Sequence, residues 1–189
     1  MEELAALFPR VTYRLRDAVL QREERYRFEQ GLGDYCARLS APALPLHAPW
    51  CFEGHRGTTR VRLVLQWCQE PGSRLVSWVN LHRAHAGTHL EGLLDGLRLA
   101  PHDATESRPH LRIPLYIPSE LLNGLTVLFE VSIPQPIWDG SLKGDLANEE
   151  CEFDVAELVQ AWLRQRFEAE PVVTERILEH ALGRYITRG

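Results

Sequence analysis

The chain has 189 residues, 21 Lys and Arg against 26 Asp and Glu, and a formal net charge of −5. At 44% hydrophobic and 25% charged it is a globular composition of one-domain size, which excludes wholesale disorder and a dedicated basic nucleic-acid coat. No apolar run reaches the roughly 18 residues of a membrane span, the start Met1-Glu2-Glu3-Leu4 is acidic where a signal peptide would be basic, and a cytoplasmic protein is expected. Cys36, Cys51, Cys68 and Cys151 are widely spaced with no C-x-x-C, so they read as buried thiols rather than a disulfide framework or a zinc site.

Leu4 to Leu7 reads as the end of a helix before Pro9. Val11 to Arg16 alternates as a half-buried strand does, and Tyr26 to Glu29 reads as a second strand after a charged turn at Gln21–Arg25. Leu32, Tyr35, Cys36 and Leu39 share one face of a short helix, and Pro42, Pro45 and Pro49 predict an extended connection. Arg60 to Trp67 reads as a strand, with Leu75 to Asn80 its expected hairpin partner across Pro71-Gly72-Ser73. Thr88 and Glu91 have capping-box spacing, which predicts a helix to about Leu99. A polar loop is expected over 100–118, then a central strand over Leu125–Ile133 and a second long loop over Pro134–Gly144. Asn148, Glu149 and Glu150 make a helix start, and Pro171 opens a last helix. The order predicts an α+β fold, one mixed or antiparallel sheet covered by helices on one face, with C-terminal helices.

Three chemical patterns stand out. His82, His85 and His89 lie close together, but Gly87 interrupts any helix that would align them, so they read as loop hydrogen-bonding groups and not as a metal site. Glu91 and Asp95 lie four apart on one helix face, as an acid/base pair would, though such carboxylates are usually a solvated face. Gly140-Ser141-Leu142-Lys143-Gly144 has phosphate-binding character, since flanking glycines let backbone approach an anion and the lysine reaches a terminal phosphate.

Four blocks in order resemble the transducer domain of the type IIA topoisomerase ATPase subunits, namely the DNA gyrase B subunit and its topoisomerase IV counterpart. Arg62 to Trp67 with Ser77-Trp78-Val79-Asn80 is similar to the family's strand ending in Gln-Trp and its Ser-Phe-Val-Asn strand. Gly87-Thr88-His89-Leu90-Glu91-Gly92 is close to its Gly-Gly-Thr-His-x-x-Gly. Asn123 to Val127 is like Glu-Gly-Leu-Thr-Ala, and Pro134 to Gly140 stands where the family has Pro-x-Pro-x-Phe-Glu-Gly. Lys143, Leu146 and Asn148 occupy positions of its Gln-Thr-Lys-x-x-Leu-Gly-Asn.

The resemblance implies the fold of ribosomal protein S5 domain 2, with residues 1–9 the end of a preceding ATPase-domain helix and 10–189 the transducer domain. It implies that Lys143, with Ser141, meets the γ-phosphate of ATP held by a GHKL-type ATPase domain. Gly140, Gly144 and Asn148 would support that loop, and Gly87, Thr88, His89 and Glu91 would form the family-motif loop. ATP and Mg belong to the full subunit by this resemblance, with no cofactor, catalytic residue or metal in the chain alone. The implied partners are the GHKL and Toprim domains, a gyrase A-type subunit and duplex DNA, for which Arg60, Arg62 and Arg83 are candidate contacts. Ser141-Leu142 replaces Gln-Thr, Ala86 replaces a glycine, and Asp145 replaces a second lysine, all of which predict altered nucleotide sensing. The Asp-x-Gly-x-Gly, Toprim and cleavage-tyrosine motifs are missing, so the chain alone is expected neither to hydrolyse ATP nor to break DNA. The alternative expectation is a stand-alone, non-catalytic module that docks on a topoisomerase or another partner.

Overall fold

The computed structural model describes residues 1–106, 111–112, 119–140, 143–182 and 187–188. In chain order these form α1 (Glu2–Leu7), β1 (Tyr13–Asp17), β2 (Arg22–Tyr26), α2 (Leu32–Ser40), β3 (Trp50–Arg56), β4 (Thr59–Trp67), β5 (Arg74–Val79), β6 (His82–Ala84) and β7 (Ala86–Gly87). They continue with α3 (Thr88–Glu106), β8 (Leu111–Arg112), a 3-10 turn (Ser119–Leu122), β9 (Leu125–Ser132), β10 (Trp138–Asp139), β11 (Asp145–Leu146), α4 (Glu149–Ala169), α5 (Pro171–Leu182) and β12 (Thr187–Arg188).

The main sheet has the order β3-β4-β9-β5-β6. β9 sits at its centre, antiparallel to β4 and parallel to β5. Of its eight residues only Ser132 is not buried, because a central strand covered on both faces leaves neither side to solvent. Val61, Leu63, Leu65 and Trp67 of β4 join Leu125, Val127, Phe129 and Val131 of β9 in a core under α3, α4 and α5. Their alternates, Val64 and Leu128, join Trp78 in a smaller core under α1 and α2, built on Ala5, Ala6, Leu7, Leu32, Tyr35 and Cys36. Helices therefore cover both faces of the sheet, where the sequence pattern predicted one.

Several other expectations are corrected. β5 is not the hairpin partner of β4: β9 lies between them, and α3 provides the crossover that parallel β5 and β9 require. The bend after β4 closes on Gly124 instead, whose N–H donates to Gly72 O at 2.8 Å and whose O accepts from Cys68 N at 2.9 Å. Gly124 has φ +75°, and a Cβ there would lie 2.3 Å from Cys68 O, so only glycine fits. The hairpin partner of β4 is β3, paired from Trp50↔Leu65 to Arg56↔Thr59, in a stretch to which the sequence pattern assigned no element. The charged Arg22–Arg25 segment is strand and not turn; it pairs with β1 in a separate two-stranded hairpin. α3 runs on to Glu106 with Pro101 inside it, so residues 100–106 are helix where a loop was expected, and Leu111–Arg112 is strand; the rest of the expected loop, 107–110 and 113–118, lies outside the described residues. Cys36, Cys68 and Cys151 are buried free thiols, but Cys51 is exposed. Burial pushes the thiols of Cys36 and Cys151 up to about 12.

α3 and α4 lie in direct contact over the main core. A Cβ on Gly92 would stand 2.2 Å from Glu152 O, and one on Gly96 2.7 Å from Val159 Cβ. The two glycines, four apart on one face, let the helices approach to backbone contact.

Candidate functional site

The second long loop folds back on itself. β10 and β11 pair antiparallel, Trp138↔Leu146 and Asp139↔Asp145, which brings Gly140 and the Lys143-Gly144 pair to one end of a small two-stranded ladder, the tip that carries the lysine. β11 also pairs in parallel with β7, Asp145↔Ala86 and Leu146↔Gly87. The tertiary fold thus places Gly87, which leads into α3, beside Asp145 and Leu146 just after Lys143 and Gly144, two segments far apart in the chain.

Gly87 makes that pairing possible. Its φ is +107°, and a Cβ would lie 2.2 Å from Leu146 O and 2.3 Å from Leu146 N, so any side chain would push β11 away. One residue earlier in β11's approach, Gly144 O accepts hydrogen bonds from His85 N at 3.0 Å and Ala86 N at 3.3 Å. Lys143 precedes that anchored carbonyl with φ +50°, a left-handed conformation that lysine uncommonly adopts. Its side chain is exposed, and it makes no ion pair among the described residues. Gly140 has φ +77° with open space around it. Ser141 lies outside the described residues, as does Leu142. Asp139 and Asp145 are cross-strand partners where β10 meets β11.

Asn148 is the N-cap residue of α4, but its side chain does not cap the helix. Its Oδ1 accepts from Ile137 N at 2.7 Å, and its Nδ2 donates to Gln135 O at 3.2 Å and Glu150 Oε1 at 2.9 Å. The asparagine pins the Pro-rich approach to the tip onto the start of α4. That bond to Asn148 is the main reason the Glu150 carboxyl sits below its ordinary range.

The other expected site residues separate. Thr88 opens α3, yet its Oγ1 is buried without a hydrogen-bond partner, so the capping box is not formed. Glu91 is exposed, and Asp95 pairs with Arg98 at 2.7 Å rather than with it, which leaves the acid/base pair without geometry. His82 meets Trp138 edge-on with centroids 5.8 Å apart, whereas His85 is exposed. His89 is fully buried, stacked on Phe129 at 5.9 Å. Burial lowers its imidazole to about 4. The three histidines share no centre, and among the described residues no three His, Cys, Asp or Glu side chains are grouped to hold a metal ion.

Of the arginines considered for DNA, only Arg60 is exposed and without an ion pair among those described. Arg62 pairs with Glu130 at 2.8 Å and donates to Leu7 O at 3.1 Å. Arg83 pairs with Glu3 and lies over the Trp78 ring at 5.6 Å. Sequence reasoning passed over Glu130 and Glu3. Glu130 did leave a signal, since it is the lone charge in a largely apolar strand and a buried carboxylate demands a partner.

Residues 31–188 match the family model of DNA gyrase B. The chain is similar to the DNA gyrase B subunit of Treponema pallidum, 30% identical over 97% of this chain and 30% of that protein. It is also similar to the DNA topoisomerase 4 B subunit of Escherichia coli, 29% identical over 95% of this chain and 30% of that one. The chain therefore spans about 30% of the length of these relatives. Among solved structures, the 43K ATPase domain of Thermus thermophilus gyrase B superposes with TM-score 0.82 at 22% identity, over 97% of this chain and 50% of that one. The gyrase B protein of Myxococcus xanthus gives 0.79 at 27% identity, over 94% and 57%.

Proposed function

The chain belongs to the DNA gyrase B family, and on that premise we propose that it is the transducer domain of a gyrase-B-like type IIA topoisomerase subunit. In this reading it relays the nucleotide state of an adjoining GHKL ATPase domain to the parts of the enzyme that pass one DNA duplex through another. Those parts would be a Toprim domain of the same subunit and a gyrase A-type partner. The fold would be that of ribosomal protein S5 domain 2.

One observation carries the reading. Lys143 is an exposed cation on a tip whose next carbonyl is hydrogen-bonded to the strand that opens α3. The lysine is free to meet an anionic phosphate outside the chain, and any movement of its backbone is passed through β7 into α3 and the glycine seam with α4. A γ-phosphate that contacts Lys143 in one domain arrangement and not in another favours the first by the difference in contact energy. ATP and its magnesium ion would be held by the adjoining domain. This chain contributes the lysine, its fixed backbone and the Asn148 clamp. Asp139 and Asp145 of the β10–β11 pair would weaken the attraction relative to a second lysine.

The test is ATP turnover by the chain joined to its ATPase domain. Lys143→Ala is expected to lower kcat about a hundredfold, the loss that follows removal of one preorganised charge donor. Unchanged turnover would remove the lysine from this role.

A further inference from the structure

β6 is a three-residue edge strand, paired on one side only, to β5. It leads directly into His85 and Ala86, whose N–H groups hold Gly144 O. Whatever fixes β6 therefore fixes the Lys143 tip. On the other face of the sheet lies α1, and its Glu3 carboxylate is shared between two strands. Oε1 accepts from Arg83 of β6, and Oε2 accepts from Trp78 Nε1 of β5 at 3.0 Å. The Arg83 guanidinium also lies over the Trp78 ring, and Trp78 is itself buried at 2% exposure. α1 is held at its other points by Arg62 on Leu7 O, by Arg38 on Glu2, and by the burial of Ala5, Ala6 and Leu7.

We propose that Arg83 is a positioning residue: through Glu3 and Trp78 it couples the placement of α1 to the placement of the Lys143 tip. A shift of α1 across the sheet moves the Glu3 carboxylate, the carboxylate draws Arg83 and β6, and β6 runs directly into His85 and Ala86, whose N–H groups anchor Gly144. This assigns Arg83 to relay within the protein rather than to duplex DNA. Its importance for turnover rests on the nucleotide reading of Lys143; the mechanical link itself does not.

Residue-resolved amide exchange on the chain tests the link directly. Arg83→Met keeps the stem over Trp78 but removes the charge, and Glu3→Gln keeps an acceptor for Trp78 Nε1. Each is expected to speed exchange at His85 and Ala86 by up to about fivefold, the range open to a partly exposed ion pair, while the Val127–Val131 amides of β9 stay unchanged. The double variant should exchange no faster than either single one, because both remove the same pair. Unchanged exchange at His85 and Ala86 overturns the proposal, and so does equal acceleration in β9, which would mean general loosening. Faster exchange with normal ATP turnover by Arg83→Met in the joined protein leaves the link standing and counts against the nucleotide role of Lys143 alone.

Discussion

At His89 a short hydrogen-bond chain leaves one ring nitrogen bare. Ser77 Oγ donates to Ala84 O at 2.6 Å, so at 3.2 Å it accepts from His89 Nε2–H. That assigns the tautomer and leaves Nδ1 unprotonated, buried and without a partner. His47 is neutral for a related reason: Nδ1–H donates to Ala48 O at 2.6 Å, and Nε2 accepts from Trp67 N at 3.0 Å. Burial lowers both imidazoles from 6.5 to about 4. The unfolded chain therefore takes up protons below pH 6.5 while the folded one does not, and stability falls as pH drops from there toward 4. Between pH 6.5 and 5 the loss should be about 2 kcal/mol for each histidine. Urea midpoints at pH 7 and 5 measure it, and His89→Gln should roughly halve the slope. A flat profile over that interval would mean that neither ring is buried in its neutral form.

Among the elements, the α3–α4 seam gives the clearest sign test. By helix propensity alone, Gly92→Ala should stabilise α3 by about 1 kcal/mol. The new methyl would lie 2.2 Å from Glu152 O, a backbone atom that cannot swing aside, so the helices must part. The net effect is expected to be a loss of about 1–3 kcal/mol, as for other overpacked interiors, read from the chemical-denaturation midpoint. A rise in midpoint would show that the seam yields freely. The β1–β2 hairpin is the opposite kind of element. Its Arg22–Glu24 and Arg25–Glu23 pairs are partly or largely exposed and contribute little. Val19 and Leu20 at its tip are 90% and 71% exposed, so its ladder rests on cross-strand bonding with little core beneath it.

For the molecule as a whole, charge and pairing decide how it meets DNA. The net charge of −5 repels a polyanion, and Arg62 and Arg83 are spent inside the fold on Glu130 and Glu3. Filter binding of the chain to duplex DNA should be weak even at low salt. The logarithmic salt slope should be no steeper than about −1, since few phosphates would be neutralised. Tight binding with a steep slope would mean that an arginine surface opens in solution.

The sequence by itself determined the helix beginning at Thr88, the last helix beginning at Pro171, the central strand beginning at Leu125, and the order of motif blocks that marks the DNA gyrase B family. These are local matters of apolar period, proline and spacing. It did not reveal β3, the insertion of β9 between β4 and β5, or the helices on the second face of the sheet. Strand order depends on which edges and faces a buried strand must cover, and that balance is struck between distant segments. The lysine tip was legible as glycines around a cation, but its anchorage on β7 required Gly87 to meet Leu146 across the chain. The cap-like Asn148 became a loop clamp, and Arg62 and Arg83 became internal partners of carboxylates. A side chain's type limits which bonds it can make, and only the assembled fold decides which partner lies within reach.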